Sequence, residues 1–215
     1  MSITAILLIA AGVVALGDWI AVALRRTRVE HVLKPAVLAV LIAAAVTSDV
    51  DHRVQPWVIV ALGLGLVGDI GLMLSRDDTP DPWFLAGLAA FMFGHAAWIV
   101  AFLRYGVQGW QALGGALVAI GVAGLALPAA VRGAVRGNGR ELGLVICAYA
   151  VLLGAMAAGA AGTTQIATAI GGALFVCSDA LLARERFVSR SRPGEVVVMI
   201  TYHGAQALLL IGLLR

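Results

Sequence analysis

Three aspartates sit inside otherwise apolar runs: Asp18 in GDWIAVALRR, Asp69 in GLGLVGDIGLMLSR and Asp179 in SDALLARER. His95, His203, Tyr202, Gln206 and Ser178 share such settings. An ionisable side chain at the centre of a bilayer costs at least ~2.5–3.5 kcal/mol even on the lenient insertion scale, so each of these calls for a reason. Paired carboxylates suit two kinds of work. One that stays protonated and one that stays ionised can act as acid and base on a reacting bond. Strung together with imidazoles, they can instead relay protons. Asp69 and Asp179 are the expected working pair. Asp18, close to a span end, is equally accounted for by a carboxylate that reaches the interface, and His95 alone by a bundle histidine with its bonds satisfied.

Other chemistries lack their signatures. There is no HExxH, no Gly-rich phosphate loop and no Gly-x-Ser-x-Gly elbow. A zinc site would have to draw on His95, His203 and an aspartate, and two well-separated histidines carry little specificity. Cys147 and Cys177 lie in apolar runs and read as small buried hydrophobes.

The elements that must position these groups follow from composition. The chain of 215 residues is 61% hydrophobic and 13% charged, with a mean hydropathy of +0.99. Soluble domains carry roughly 25% charge, too much for this chain to match, and the bilayer is the solvent that suits it. The abundance of Gly and Ala fits close packing of membrane helices. A crossing needs ~20 apolar residues. Eight runs qualify: about 3–24, 33–48, 55–74, 83–103, 110–131, 142–161, 164–183 and 195–214. The expected fold is therefore a single all-α membrane domain, residues 1–215, with eight transmembrane helices. The second run is short, and only a Gly-Thr-Thr break near 162–164 separates the sixth from the seventh, which leaves a seven-span alternative. The first run lacks a basic leader and continues to about Leu24, as a spanning helix does.

Charge orients the bundle. Arg25, Arg26, Arg28, Lys34, Arg76, Arg132, Arg136, Arg140, Arg184, Arg186, Arg190 and Arg192 fall on one side, which is 12 of the 15 Lys and Arg; Arg53, Arg104 and Arg215 fall on the other. The positive-inside rule makes the first side cytoplasmic and puts both termini outside, in a multi-pass protein of the cell membrane. Dropping a span would scramble this bias. The isoelectric point of 9.3 thus reports topology, with no nucleic-acid partner implied. At ~1.5 Å per residue, Asp18, Asp69, Asp179, Tyr202, His203 and Gln206 fall in the cytoplasmic half of the bilayer, with His95 deeper. A polar cavity open to the inner leaflet would hold them together. The Gly-Asp or Ser-Asp followed by Arg recurs three times, and each small residue lets a neighbouring helix approach the carboxylate. Trp83, Trp98 and Trp110 read as interface or packing residues.

Five short motifs, taken in order, resemble the lysoplasmalogenase-like, or YhhN-like, family of membrane proteins: Lys34-Pro35, Gly68-Asp69, FGHAAW at residues 93–98, LFVCSD ending at Ser178-Asp179, and TYHGAQALL from Thr201, similar to a Tyr-x-x-Ala-Gln pattern. The family often has Tyr three residues after the His of the third motif, where Trp98 stands here. His203 and Asp18 fall outside the pattern. The resemblance implies hydrolysis of the vinyl ether bond of a lysoplasmalogen, a lysophospholipid, giving a fatty aldehyde and a glycerophospho-ethanolamine or -choline. It implies Asp69 and Asp179 as the acid–base pair with His95 and Tyr202 beside them, and Lys34, Ser178 and Gln206 at the substrate, with Asp18 and His203 as further candidates. The logic is that of glycosidases, which also pass through an oxocarbenium-like state. No cofactor or metal is expected. A proton-coupled transporter and a non-catalytic lipid-binding protein are the competing readings; neither would release aldehyde in detergent.

Overall fold

The computed structural model describes residues 1–75, 81–189 and 191–214, without the side chain of Arg192. Arg76, Arg190, Arg215 and the Arg192 side chain, four of the charges that orient the bundle, lie outside it. The described residues form seven helices and no strand: α1 (Ile3–Ala23), α2 (Thr27–Val46), α3 (Gln55–Leu74), α4 (Pro82–Tyr105), α5 (Gly109–Gly162), α6 (Ile166–Phe187) and α7 (Arg192–Ile211). Each is long and apolar enough to cross a membrane. Local chemistry sets the starts. Ser2, Asp81 and Ser191 accept from Ala5 N at 3.1 Å, Phe84 N at 2.8 Å and Gly194 N at 3.2 Å, so polar side chains satisfy backbone donors that a helix leaves open.

Two boundaries differ from the sequence expectation. The second helix starts at Thr27, six residues before the expected 33, and runs through Pro35. Proline lacks a backbone donor and its ring crowds the carbonyl four residues back, at His31, but its φ suits a helix, which continues past it. The expected fifth and sixth spans fall in one element, α5, of 54 residues. At ~1.5 Å per residue this is about 80 Å, far beyond a hydrocarbon core of ~30 Å. The reversal is at Gly139, whose φ of 87° and ψ of 172° leave the helical region and suit a residue without Cβ. The two arms then lie side by side: a Cβ added at Gly115 would meet Ala157 O at 2.7 Å, one at Gly143 would meet Val135 Cγ2 at 2.7 Å, and Gln108 N donates to Gly162 O at 2.7 Å. The break between the arms and α6 falls at Thr163–Gln165, close to the expected 162–164.

The bundle is apolar outward. On α1, Ile6, Ile9, Val13, Leu16 and Ile20 are exposed while Ala11, Ala15 and the fully buried Asp18 face inward. That inverts the pattern of a soluble helix and suits lipid contact. Neighbouring helices pack in chain order, and α7 closes the bundle against α1 and α2. Glycines set the closest approach. A Cβ at Gly71 would stand 2.7 Å from Gly87 Cα, and one at Gly68 would meet the Phe91 ring at 2.7 Å, so α3 and α4 touch almost backbone to backbone beside Asp69.

Candidate functional site

The early start of α2 carries Lys34 about two turns into the helix. Its side chain is 8% exposed, and Nζ lies 3.3 Å from Asp69 Oδ1 on α3. Tyr202 on α7 donates its hydroxyl to Asp69 Oδ2 at 3.0 Å. Both carboxylate oxygens are therefore engaged, one by an ammonium and one by a phenol, which is what a buried charge requires. Behind them, Trp98 Nε1 donates to Gln206 Oε1 at 3.3 Å. Trp98, which the sequence suggested as interface or packing, thus holds the buried glutamine of α7. The Phe91 and Phe175 rings stand edge-on to Tyr202, with centroids at 5.9 and 5.6 Å.

A second cluster surrounds Asp179. Tyr149, on the second arm of α5, donates to Asp179 Oδ2 at 2.6 Å, and its oxygen lies 2.9 Å from His95 Nε2 on α4. His95 itself is 3.4 Å from Asp179 Oδ2. Phe175 stands edge-on to the imidazole at 4.8 Å. Sequence reasoning missed Tyr149. A phenol in an apolar run costs little and no motif marks it; the usable signal was that it is one of only three tyrosines in the chain.

A third cluster adjoins the first, with the His203 ring tilted against Tyr202 at a centroid distance of 5.4 Å. Trp19 Nε1 donates to His203 Nδ1 at 3.1 Å, and the same nitrogen lies 4.0 Å from Asp18 Oδ2. Neither oxygen of Asp18 and neither electron pair nor proton at His203 Nε2 has a hydrogen-bond partner among the described residues. His95 and His203 thus belong to different clusters. Ser178 spends its hydroxyl on the backbone oxygen of Val198, 3.3 Å away on α7, and ties α6 to α7.

A cavity of about 1130 Å³ runs from the α1–α2 and α6–α7 connections, at Arg25 and Ser189, inward to Leu153 and Gly154. Of the expected site residues, only Lys34 and Asp179 line it; Tyr149 does so as well. Asp69, His95, Tyr202 and Gln206 stand behind that wall, each within 1–3% exposure. Asp18, His203 and Ser178 are equally buried, off the cavity. The structure therefore arranges what the sequence suggested as one polar chamber as three adjoining clusters, joined by ring contacts of Tyr202 with His203 and of Phe175 with His95 and Tyr202, of which Lys34, Tyr149 and Asp179 reach the cavity. One flank is apolar, formed by Ala119, Val122, Ala123 and Ala126 of the first α5 arm; the outer end carries Arg25, His31 and Arg186 beside Glu30.

A helical bundle with an apolar outer face and an ionisable cluster opening on an amphipathic cavity defines a multi-pass membrane protein with an internal polar site. The comparisons agree with that class: residues 29–213 match the family model of the YhhN family. The chain belongs to the YhhN family. Two relatives, each named Lysoplasmalogenase, come from Mycobacterium bovis and Mycobacterium tuberculosis; each is 30% identical to this chain over 185 residues, covering 82% of this chain and 67% of the relative. No solved structure matches.

Proposed function

We propose that the protein hydrolyses the vinyl ether bond of a lysoplasmalogen within the membrane, releasing a fatty aldehyde and glycerophospho-ethanolamine or -choline. The observation that carries this reading is the shared wall: Lys34, held from behind by Asp69, and Asp179, held by Tyr149 beside it, face one cavity with an apolar flank and a charged outer end. Family membership and the names of the two relatives support the same class of substrate.

The chemistry assigns a task to each group. Asp179, in its protonated form, delivers a proton to the vinyl carbon remote from the ether oxygen, leaving an oxocarbenium ion. The resulting carboxylate stabilises that cation and then takes a proton from the attacking water. The hemiacetal so formed collapses: its hydroxyl proton leaves, the carbonyl forms, and the glycerol oxygen departs with a proton. One water is consumed and Asp179 ends as it began. Lys34 supplies N–H donors to the oxygen atoms of the glycerophospho group, and Asp69 with Tyr202 and Gln206 acts through Lys34 by holding it at the wall. The single chain of the lysolipid takes the apolar flank.

For topology, the side-by-side arms of α5 support eight crossings of the cell membrane with both termini outside. The reversal at Gly139 then lies on the cytoplasmic side with Arg136 and Arg140, as the arginine-rich outer end of the cavity does.

The test is turnover in D₂O by purified protein in detergent, with the aldehyde trapped as it forms. Protonation at carbon places one deuterium on the carbon next to the carbonyl. Absence of aldehyde, or aldehyde without that deuterium, rejects the mechanism.

A further inference from the structure

The trio His95, Tyr149 and Asp179 joins three elements, α4, the second arm of α5 and α6. Hydrogen-bond directions within it are determined. The Tyr149 hydroxyl has one proton, and Asp179 Oδ2 at 2.6 Å receives it. The phenol oxygen is then an acceptor, so His95 Nε2, 2.9 Å away, must carry a proton. In the neutral ring this leaves Nδ1 bare, and Nδ1 has no partner among the described residues. The direct His95–Asp179 separation of 3.4 Å is longer than an ordinary N–H···O bond. Imidazole and carboxyl therefore communicate through the phenol.

This arrangement distinguishes the two oxygens of Asp179. Oδ2 is occupied by a donor, so whenever the carboxyl is protonated its proton resides on Oδ1. Tyr149 and Asp179 both line the cavity, whereas His95 is buried behind them. We propose that Tyr149 is the positioning residue of the site: it fixes the Asp179 carboxyl through Oδ2, so that Oδ1 alone exchanges protons with substrate and water. His95 serves by holding the phenol in that direction. This inference rests on the proposed hydrolase reading and assigns it a residue that none of the sequence motifs contains. The other charged and titratable groups around the trio are Lys34 on α2, Asp69 on α3 and Tyr202 on α7, and these form the neighbouring cluster.

The test is Tyr149→Phe, which removes one oxygen and keeps the ring. Turnover of lysoplasmenyl-ethanolamine is expected to fall on the order of 10²-fold in kcat, with KM unchanged and the alkaline limb of the pH–rate profile, where the catalytic acid loses its proton, displaced. Adding His95→Ala to Tyr149→Phe is expected to cost little more, because the link is already cut. 3-Fluorotyrosine at position 149 preserves shape and packing, should Tyr149→Phe fail to fold, and is expected to move the same limb. A second readout needs no turnover: the infrared carboxyl band that Asp179→Asn removes should shift in Tyr149→Phe or in the fluorinated protein. Wild-type kcat and pH profile together with an unshifted band overturn the assignment. If wild type releases no aldehyde while the band shifts as expected, the hydrolase reading fails and the Tyr149–Asp179 link stands.

Discussion

Replacing Lys34 by Met keeps the length of the side-chain stem and removes its charge. The ammonium and the Asp69 carboxylate are 3.3 Å apart, with side chains 8% and 2% exposed. Breaking a buried pair by removing one partner costs about 3–5 kcal/mol, because the other is left as an uncompensated buried charge. Among the described residues, Lys34→Met leaves Asp69 only the bond from Tyr202. Asp69→Asn leaves the ammonium without its anion. Removing both charges is close to neutral, since an uncharged pair of similar volume pays no desolvation. The two single variants should therefore each lose about 3–5 kcal/mol, and the double variant should recover most of it, for a coupling energy of about 5 kcal/mol or more. At ~2–4 °C per kcal/mol for a chain of this size, each single variant melts about 10 °C below wild type. The assay is unfolding in mixed micelles, by heat or by added dodecyl sulfate, read by tryptophan fluorescence. Single effects below about 1 kcal/mol that simply add in the double variant would refute a buried ion pair.

Gly71→Ala should destabilise by about 1–3 kcal/mol by forcing α3 from α4 at the 2.7 Å approach to Gly87, while Gly63→Ala, whose Cβ would meet nothing within 4 Å, should not; paired melting curves compare them. Trp98→Phe should cost about 1–3 kcal/mol by orphaning the buried Gln206 oxygen, seen in the same melts. Asp18→Leu should hold or raise the melting temperature, because it removes a fully buried carboxylate whose oxygens have no hydrogen-bond partner among the described residues. Turnover should survive EDTA, as the carboxylate mechanism requires no metal; loss of aldehyde release in chelator would count against it.

The parts of the site legible in the sequence were those where apolar surroundings make a side chain costly. Asp69, Asp179 and His95 announce themselves because hydrocarbon penalises them, and Tyr202 and Gln206 through the order of motifs. Their partners were less visible. Lys34 stands out in the sequence only as a loop-side charge and half of the Lys34-Pro35 motif; the start of α2 at Thr27 turns it into the cation of Asp69. Trp98 looks like packing until its N–H is found on Gln206. Tyr149 carries no local signal, because its role depends on α5 reversing at Gly139 and returning beside α6. The two spans that the sequence suggests correspond to the two arms of α5, with residues 132–138 staying helical through the expected loop up to the reversal at Gly139. The grouping of Asp18 with the other polar residues rested on depth alone, and depth does not report which face of the bundle a side chain meets.

The most direct test of the central claim is aldehyde release from lysoplasmenyl-ethanolamine by purified protein in detergent, beside Asp179→Asn and Asp69→Asn. Aldehyde is expected from wild type, none from folded Asp179→Asn, and a loss in Asp69→Asn that accompanies its loss of stability. Wild-type turnover by folded Asp179→Asn, or no aldehyde from any folded form, would contradict it.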